Sequence, residues 1–379
     1  MGTTFGRNPL FVLQSLGQSI WLDEFHRGLL GGSSFARWVN REGISGVTSN
    51  PAILAKAFAE DAAYAGAIAA LRATGATGSQ IYDRLRIEDA GHAADRLRHV
   101  YDCTGGRDGY VSIQVSPLLA SDADATVSEA LRLWKTVGKP NVMIKVAATD
   151  DGVLAIRRLI AEGVNINASL IFGTRRYREV AGAYLSGLED RASKHLPLQR
   201  VASVASLVLG RIDTCVDKQL DAIQSPAQAA RARRLHGRTA ITIARAAYRD
   251  YKTLIASHRW RALAACGAQT QRLLWAQAYT TDAPSPDLKY VSELIGRDTV
   301  STMTVSTLNA YRDHGAAALT LERDPLDTVA VLAEIPLLGI DLESVGRQLE
   351  REDIAASTAS INHIATQLAS QQEASVAVR

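Results

Sequence analysis

The feature that most constrains the fold is a series of eight short strand-like segments that alternate with segments of helical periodicity. Several, such as NVMIKVAAT at residues 141–149, show no alternation of polar and apolar residues, which is typical of parallel strands covered on both faces. The predicted strands are residues 19–23, 44–48, 110–115, 141–149, 164–172, 201–209, 273–278 and 299–303. This pattern predicts an α/β fold, a (β/α)8 TIM barrel with extra helices.

The domain organisation follows from the same pattern. The chain has 379 residues, and α/β barrels routinely exceed the usual domain size as one unit. No linker of low complexity interrupts the chain, so we expect one barrel domain over residues 1–369. The polar residues 370–379 are expected to form a disordered C-terminal tail.

Composition narrows the class of protein. With 47% hydrophobic and 21% charged residues, the chain is typical of soluble globular proteins. The net charge of +3 gives no support for nucleic acid or membrane binding, and no apolar run is long enough to span a membrane. Three widely separated cysteines indicate a reducing compartment, and the N-terminus lacks a signal peptide's basic start and long apolar core. We therefore expect a cytoplasmic protein.

One charged residue interrupts the fourth predicted strand. Lys145 lies between Ile144 and Val146 in an otherwise apolar run. Its side chain either extends past the strand end into solvent or is held where losing its proton is useful. On position alone, the first alternative is favoured.

Catalytic side chains in a (β/α)8 barrel come from the C-terminal ends of the strands. These ends carry one lysine with a carboxylate, amides, hydroxyls and an arginine, a combination that suits covalent catalysis on a carbonyl through a Schiff base. The candidate site residues are Asp23, Asn50, Gln114, Lys145, Asn167, Ser169, Ser206, Arg211 and Gln277. Two of them have simpler explanations, since Asp23 is equally suited to capping a helix from Glu24 onward and Asn50 before Pro51 is more often a turn residue.

The chemistry requires a neutral amine near neutral pH, whereas the pKa of free lysine is about 10.4. Desolvation by apolar neighbours would lower the pKa of Lys145, and a nearby cation such as Arg211 would act in the same direction. Asp23 is expected to take a proton from a substrate hydroxyl as a carbon–carbon bond breaks. Arg211 is expected to hold a phosphate or carboxylate.

No cofactor is predicted. The sequence contains no HExxH, no Cys/His cluster with metal spacing, no P-loop and no GxGxxG motif. A metal or nucleotide cofactor is therefore unsupported.

The sequence resembles the transaldolase family of the longer bacterial type over residues 13–369. The resemblance is carried by blocks that occur in the family's order. They are LGQSIWLDEF (16–25), GVTSNPAIL (46–54), GYVSIQVSPLLA (109–120), NVMIKVAAT (141–149), VNINASLIFG (164–173), VASVASLVLGRID (201–213), QRLLWAQAYTT (271–281), DTVSTMT (298–304) and RDHG (312–315).

The resemblance implies an enzyme that transfers a dihydroxyacetone unit between sugar phosphates, as in pentose phosphate chemistry. Lys145 matches the Schiff-base lysine and Asp23 the general acid/base. Asn50 and Asn167 match the asparagines that hold the dihydroxyacetone hydroxyls and the lysine. The remaining matches are Ser206, a ligand of a substrate hydroxyl, and Arg211, a phosphate ligand.

Several site positions depart from the family pattern. Gln114 stands where a glutamate usually positions a catalytic water, and glutamine cannot relay a proton. Ser169 replaces a threonine, Gln277 replaces a phosphate-binding serine, and Thr281 removes a cation that would face the phosphate. These changes favour altered substrates over random drift.

Three hypotheses follow. The first is a transaldolase-like transferase acting on sugar phosphates, either the family's usual substrates or altered ones. The second is a transaldolase-fold enzyme of a biosynthetic pathway that condenses an amine with an aldose phosphate, as in a Pictet–Spengler cyclisation. The third is a non-catalytic metabolite-binding barrel. The expected partners are small molecules, either sugar phosphates or aldehydes and amines, and the chain is expected to be a monomer or a homodimer.

Overall fold

The protein is built around a closed barrel of eight parallel strands, each hydrogen-bonded to the next in chain order and the last to the first. The computed structural model describes residues 8–279 and 286–376. The strands are β1 (Gln18–Leu22), β2 (Ile44–Thr48), β3 (Tyr110–Gln114), β4 (Val142–Ala147), β5 (Ile166–Ile171), β6 (Ser203–Val208), β7 (Arg272–Ala276) and β8 (Thr299–Met303). The predicted (β/α)8 TIM barrel is confirmed.

Helices surround the barrel and bury the outward faces of the strands. They are α1 (Pro9–Ser15), α2 (Arg27–Gly31), α3 (Ser33–Arg41), α4 (Pro51–Glu60), α5 (Ala65–Ala73), α6 (Gly78–Cys103), α7 (Ala123–Val137), α8 (Asp150–Ala161), α9 (Thr174–Ser193), α10 (Gly210–Asp221), α11 (Pro226–Leu235), α12 (Thr239–Ile255), α13 (His258–Ala265), α14 (Lys289–Glu293), α15 (Val305–His314), α16 (Pro325–Leu337) and α17 (Leu342–Val376). The last helix extends into the segment expected to be a tail, and the proposed domain limits stay a prediction.

Helix α10 was not predicted from the sequence. It starts at Gly210, so that only Leu209 separates it from the end of β6. Its first turn lacks a side-chain cap. The signal that was available is the spacing of Ile212, Val216 and Leu220, which are all buried and recur every four residues on one helical face. This helix brings Arg211 to the mouth of the barrel.

The interior of the barrel is filled by large side chains. Trp21, Tyr110, Met143 and Leu274 belong to one buried cluster inside the ring of strands. Gly46 on β2 makes room for them, since a Cβ there would lie 2.5 Å from the Trp21 indole. The barrel is therefore a packed core, and ligands can enter only at its ends.

The N-terminal end of the barrel is closed by a buried ion pair. Arg272 lies 3.2 Å from the carboxylate of Asp108, and both side chains are buried. Asp108 also accepts hydrogen bonds from the Ser19 hydroxyl and, at 2.9 Å, from Trp21 Nε1. Because each polar group has a partner, this end is suited to stability rather than to binding.

Helix α17 crosses the other end of the barrel. Val345 and Leu349, early in this helix, join the main hydrophobic core. Ile364 and Leu368, near its far end, pack in a second cluster with Leu54 of α4. The part of the helix between them is thereby held over the side where strands β5 and β6 end.

Candidate active site

Three predicted site residues lie in one layer of the barrel. The strand register aligns Lys145 on β4 with Gln114 on β3 and with Asn167 on β5. Because residues aligned across neighbouring parallel strands face the same side of the sheet, all three point to the barrel axis. Gln114 is the last residue of β3 and Lys145 lies in the C-terminal half of β4, whereas Asn167 is the second residue of β5.

Lys145 is half-buried, and its pKa is lowered. Burial is the main cause, and the negative charge of Asp23 opposes the shift. The Nζ atom lies 3.4 Å from the carbonyl oxygen of Ser49 at the end of β2. Arg211 does not contribute to the shift, contrary to the sequence-based expectation. The lysine is therefore biased towards the neutral amine by its apolar surroundings alone.

Asp23 directly follows β1 and is 8% exposed. Burial raises its pKa to about 6, while Lys145 lowers it and Glu24 raises it further. Its backbone N–H donates to the Met303 carbonyl of β8 at 2.9 Å, which fixes its position at the barrel mouth. The next helix, α2, has His26 as its N-cap, so the alternative that Asp23 is a helix cap is wrong. A carboxyl group with this pKa can both accept and return a proton near neutral pH.

Asn167 is the centre of a buried hydrogen-bond chain. Its Nδ2 donates to Ser112 Oγ at 3.0 Å, and its Oδ1 accepts from Ser206 Oγ at 2.6 Å. The chain joins β3, β5 and β6 and fixes the amide orientation beside Lys145. Ser206 therefore orients the Asn167 amide.

Ser169 is anchored to the lysine strand. Its hydroxyl donates to the Val146 carbonyl at 3.1 Å, one residue after Lys145. The next residue, Leu170, has φ 62°, and the register of β5 with β6 shifts between Ala168 and Ile171. A non-glycine residue in this backbone region is strained, and such strain is concentrated at functional sites.

Gln114 ends β3, and its backbone is held from outside the barrel. Arg86 on α6 donates to the Gln114 carbonyl at 2.6 Å and pairs with Asp83 and Glu129. The Gln114 side-chain amide has no hydrogen-bond partner among the described residues. It is therefore available to a ligand or water at the mouth.

Asn50 caps a helix, whereas the simpler interpretation of the sequence was a turn. Its Oδ1 accepts from the Ala52 N–H at 3.0 Å at the start of α4. Its Nδ2 has no partner within the described part of the chain. The cap therefore occupies one side of the amide and leaves the donor side free.

Arg211 lies in the first turn of α10 and is engaged by α17. Its Nη2 lies 2.6 Å from Glu352 Oε2, and its Nη1 pairs with Asp353. The Arg211 side chain is about one-third exposed. Arg211, which was expected to bind a phosphate, is thus paired with two carboxylates of this chain.

Gln277 and Tyr279 follow β7 and line a cavity of about 500 Å³ together with Arg211. Gln277 adopts φ 49°. Burial raises the pKa of Tyr279, and the charge of Asp23 acts in the same direction, so the phenol lies within electrostatic reach of that carboxylate. Thr281, whose change of residue type was noted from the sequence, lies outside the described residues.

Several site features were not predicted from the sequence. Tyr279 could have been selected because it belongs to the seventh-strand block at a strand end. The hydroxyls of Thr48 and Ser49 are buried near the lysine and have no hydrogen-bond partner among the described residues, which their position at the end of β2 could have indicated. Glu352 and Asp353 gave no local signal.

The described residues, 8–279 and 286–376, contain no group of three or more His, Cys, Asp or Glu side chains placed to hold a metal ion. Over the same ranges no helix is long and apolar enough to cross a membrane. Cys103, Cys215 and Cys266 are all free thiols.

Comparisons with known proteins identify the family of this chain. The family model described as Transaldolase/Fructose-6-phosphate aldolase matches residues 20–368. The chain is 40% identical to a transaldolase of Frankia alni over 96% of this chain and 97% of that protein. It is also 40% identical to a transaldolase of Thermobifida fusca, over 96% and 98%, and 39% identical to transaldolase 2 of a Nostoc species, over 92% and 93%. The chain therefore belongs to the transaldolase/fructose-6-phosphate aldolase family, and it is an enzyme of the transaldolase type.

Proposed function

We propose that this enzyme transfers a dihydroxyacetone unit from a ketose phosphate to an aldose phosphate through a Schiff base on Lys145. The observation that carries the proposal is that Lys145, whose pKa is lowered by burial, lies within electrostatic reach of Asp23, whose pKa is raised to about 6. One group is biased towards a nucleophilic amine and the other towards reversible protonation near neutral pH.

The reaction divides into steps that these two residues carry out. The neutral Lys145 amine attacks the ketose carbonyl carbon, and loss of water gives an imine that protonates to an iminium. Asp23 takes the proton of the hydroxyl on the next carbon but one as the carbon–carbon bond breaks, and the electron pair moves into the iminium. The aldose leaves, and the nucleophilic enamine attacks the carbonyl of the acceptor while Asp23 returns its proton. Water then hydrolyses the new imine.

The remaining site residues bind and orient the substrate in this proposal. The free donor of Asn50 and the buried amide of Asn167 hold hydroxyls of the dihydroxyacetone unit, with Ser206 fixing the Asn167 amide. Gln114 and Ser169 position the water that adds and leaves. Gln277 and Arg211 line the cavity that would receive the phosphate end of the substrate.

Borohydride trapping tests the proposal directly. Reduction in the presence of fructose 6-phosphate should add a three-carbon unit to Lys145, located by mass spectrometry of peptides. Lys145→Met should form no adduct, because it retains the apolar stem and lacks the amine. Lys139→Met is the matched control, since Lys139 forms a surface ion pair with Asp95. An enzyme that forms no adduct with any ketose phosphate would refute the proposal.

The other two hypotheses remain distinguishable. Neither amine condensation nor a non-catalytic role gains support from the comparisons. Turnover of an amine with an aldose phosphate that survives Lys145→Met would favour the first of them. The absence of turnover with a broad panel of aldehydes and ketoses, together with an ordinary lysine pKa, would favour the second.

We further infer a cytoplasmic location and a monomer or homodimer. The location is supported by the three free cysteines, which form no disulfide. Sedimentation of the purified enzyme tests the oligomeric state.

A further inference from the structure

Helix α17 neutralises the arginine at the phosphate end of the cavity. Asp353 is 9% exposed as a residue and pairs with Arg211 Nη1, while Glu352 accepts from Nη2 at 2.6 Å. Gln348 donates to the other oxygen of Glu352 at 2.8 Å and so orients this carboxylate. The two carboxylates thus engage both terminal nitrogens of the guanidinium group.

The same carboxylates lie where an anionic ligand would be most favoured. Arg211 is in the first turn of α10, whose N-terminus has no side-chain cap. Such a helix end attracts negative charge through its free N–H groups and dipole. Glu352 and Asp353 line this cavity, and the two positive side chains that line it, Arg211 and Lys218, only balance them.

The position of the two carboxylates is set by the packing of α17. Leu349, one turn before Asp353, is buried in the main core. Further along the helix, Ile364 is buried in the cluster that includes Leu54 of α4. Because α17 is anchored both before and after these two residues, Glu352 and Asp353 remain beside Arg211 as long as the helix keeps its position.

We propose that Glu352 and Asp353 are specificity-determining residues, which weaken the hold of Arg211 on a substrate phosphate and thereby admit unphosphorylated sugars. The inference rests on the proposed function, because it assumes that the substrate's far end enters this cavity. A phosphate dianion has to displace two carboxylates from Arg211 and then remain close to them, and like charges repel strongly in a partly buried site. An uncharged hydroxyl group meets neither obstacle.

Removing the negative charges tests this directly. In the double variant Glu352→Gln, Asp353→Asn, the guanidinium group becomes free for phosphate. One charge-assisted hydrogen bond corresponds to about ten- to a hundredfold in binding. We expect the KM for fructose 6-phosphate to fall at least about tenfold, whereas the KM for fructose stays unchanged. The matched control is Glu343→Gln on the same helix, which should alter neither value.

A triple variant tests whether the gain in phosphate binding depends on Arg211. When the double variant also carries Arg211→Met, the gain for fructose 6-phosphate should disappear. Direct titration of each protein with fructose 6-phosphate by calorimetry gives the affinity without turnover. An unchanged or weaker affinity of the double variant for the phosphorylated sugar, or an equal gain for fructose, would overturn the inference.

The outcomes also separate this inference from the proposed function. If no variant forms a borohydride adduct on Lys145 with either sugar, the proposed reaction is wrong, and calorimetry still shows whether the carboxylates oppose phosphate. If adducts form normally but the affinity does not change, the reaction stands and the role of Glu352 and Asp353 is refuted.

Discussion

Asp23 should destabilise the folded enzyme at neutral pH, so that replacing it makes the protein more stable and inactive. The carboxyl group is 8% exposed, and burial is the main cause of its raised pKa. Asn has nearly the same shape and carries no charge. Asp23→Asn therefore removes the cost of an ionised carboxylate in a buried site while leaving the packing in place.

The size of the effect follows from the two pKa values. A group whose pKa is raised in the folded state binds its proton more tightly there, so the stability that it contributes is present at low pH and is lost as pH rises through the folded pKa. With a pKa of about 6 in the folded protein and 3.8 when unperturbed, the loss is about 1.5 kcal/mol at pH 5 and about 3 kcal/mol at pH 7. Below the unperturbed value the two proteins should be equally stable.

Urea unfolding at a series of pH values measures this difference. The free energy of unfolding of Asp23→Asn should exceed that of the parent by an amount that appears near about pH 4, reaches about half its full size at pH 5 and levels off near pH 7. Asp221→Asn serves as the control, because Asp221 is largely exposed and should change stability by less than about 0.5 kcal/mol. A variant no more stable than the parent at pH 7, or a gain that is constant with pH, would refute the reasoning.

Three other substitutions test further parts of the structure. Ser206→Ala leaves the buried Asn167 oxygen without its donor, so the free energy of unfolding in urea should fall by about 1–3 kcal/mol and the KM for the ketose should rise; an unchanged KM would limit Ser206 to structure. Asp108→Asn leaves the buried Arg272 uncompensated and should cost about 3–5 kcal/mol in the same assay, yet the folded fraction should keep its borohydride adduct. Gln114→Glu supplies an ionisable group beside Lys145, and its rate of transfer from fructose 6-phosphate should rise and become more strongly pH-dependent than that of the parent; a parallel pH–rate profile would exclude a proton relay at this position.

The barrel could be predicted from the sequence because its signals are local. The run of apolar residues at β4 predicts a buried parallel strand, and the helical periodicity between strands supplies the covering layer. Once the fold was inferred, the meeting of Lys145, Gln114 and Asn167 followed, since parallel strands present their C-terminal residues at one end. The alignment of these three residues in the register agrees with that expectation.

The electrostatic state of the site could not be predicted in the same way. The sequence suggested that Arg211 would lower the pKa of Lys145, but this arginine is engaged by Glu352, 141 residues further along the chain. That pairing depends on where α17 crosses the barrel, which is set by hydrophobic contacts at both ends of the helix. No periodicity or spacing near Arg211 carries that information.

The catalytic end of the site and the end near Arg211 differ in how their charges are compensated. Because of this difference, the chemistry at Lys145 and the choice of sugar can change independently. At the catalytic end, burial lowers the pKa of Lys145 and raises that of Asp23 to about 6, and the charge of each group opposes the shift of the other. At the far end, Arg211 is fully compensated by α17. A substitution at Glu352 or Asp353 can therefore alter which sugar is bound without altering the chemistry at Lys145. Conversely, a substitution at Asp23 removes catalytic proton transfer and raises the free energy of unfolding, while the preference for phosphorylated sugars stays the same.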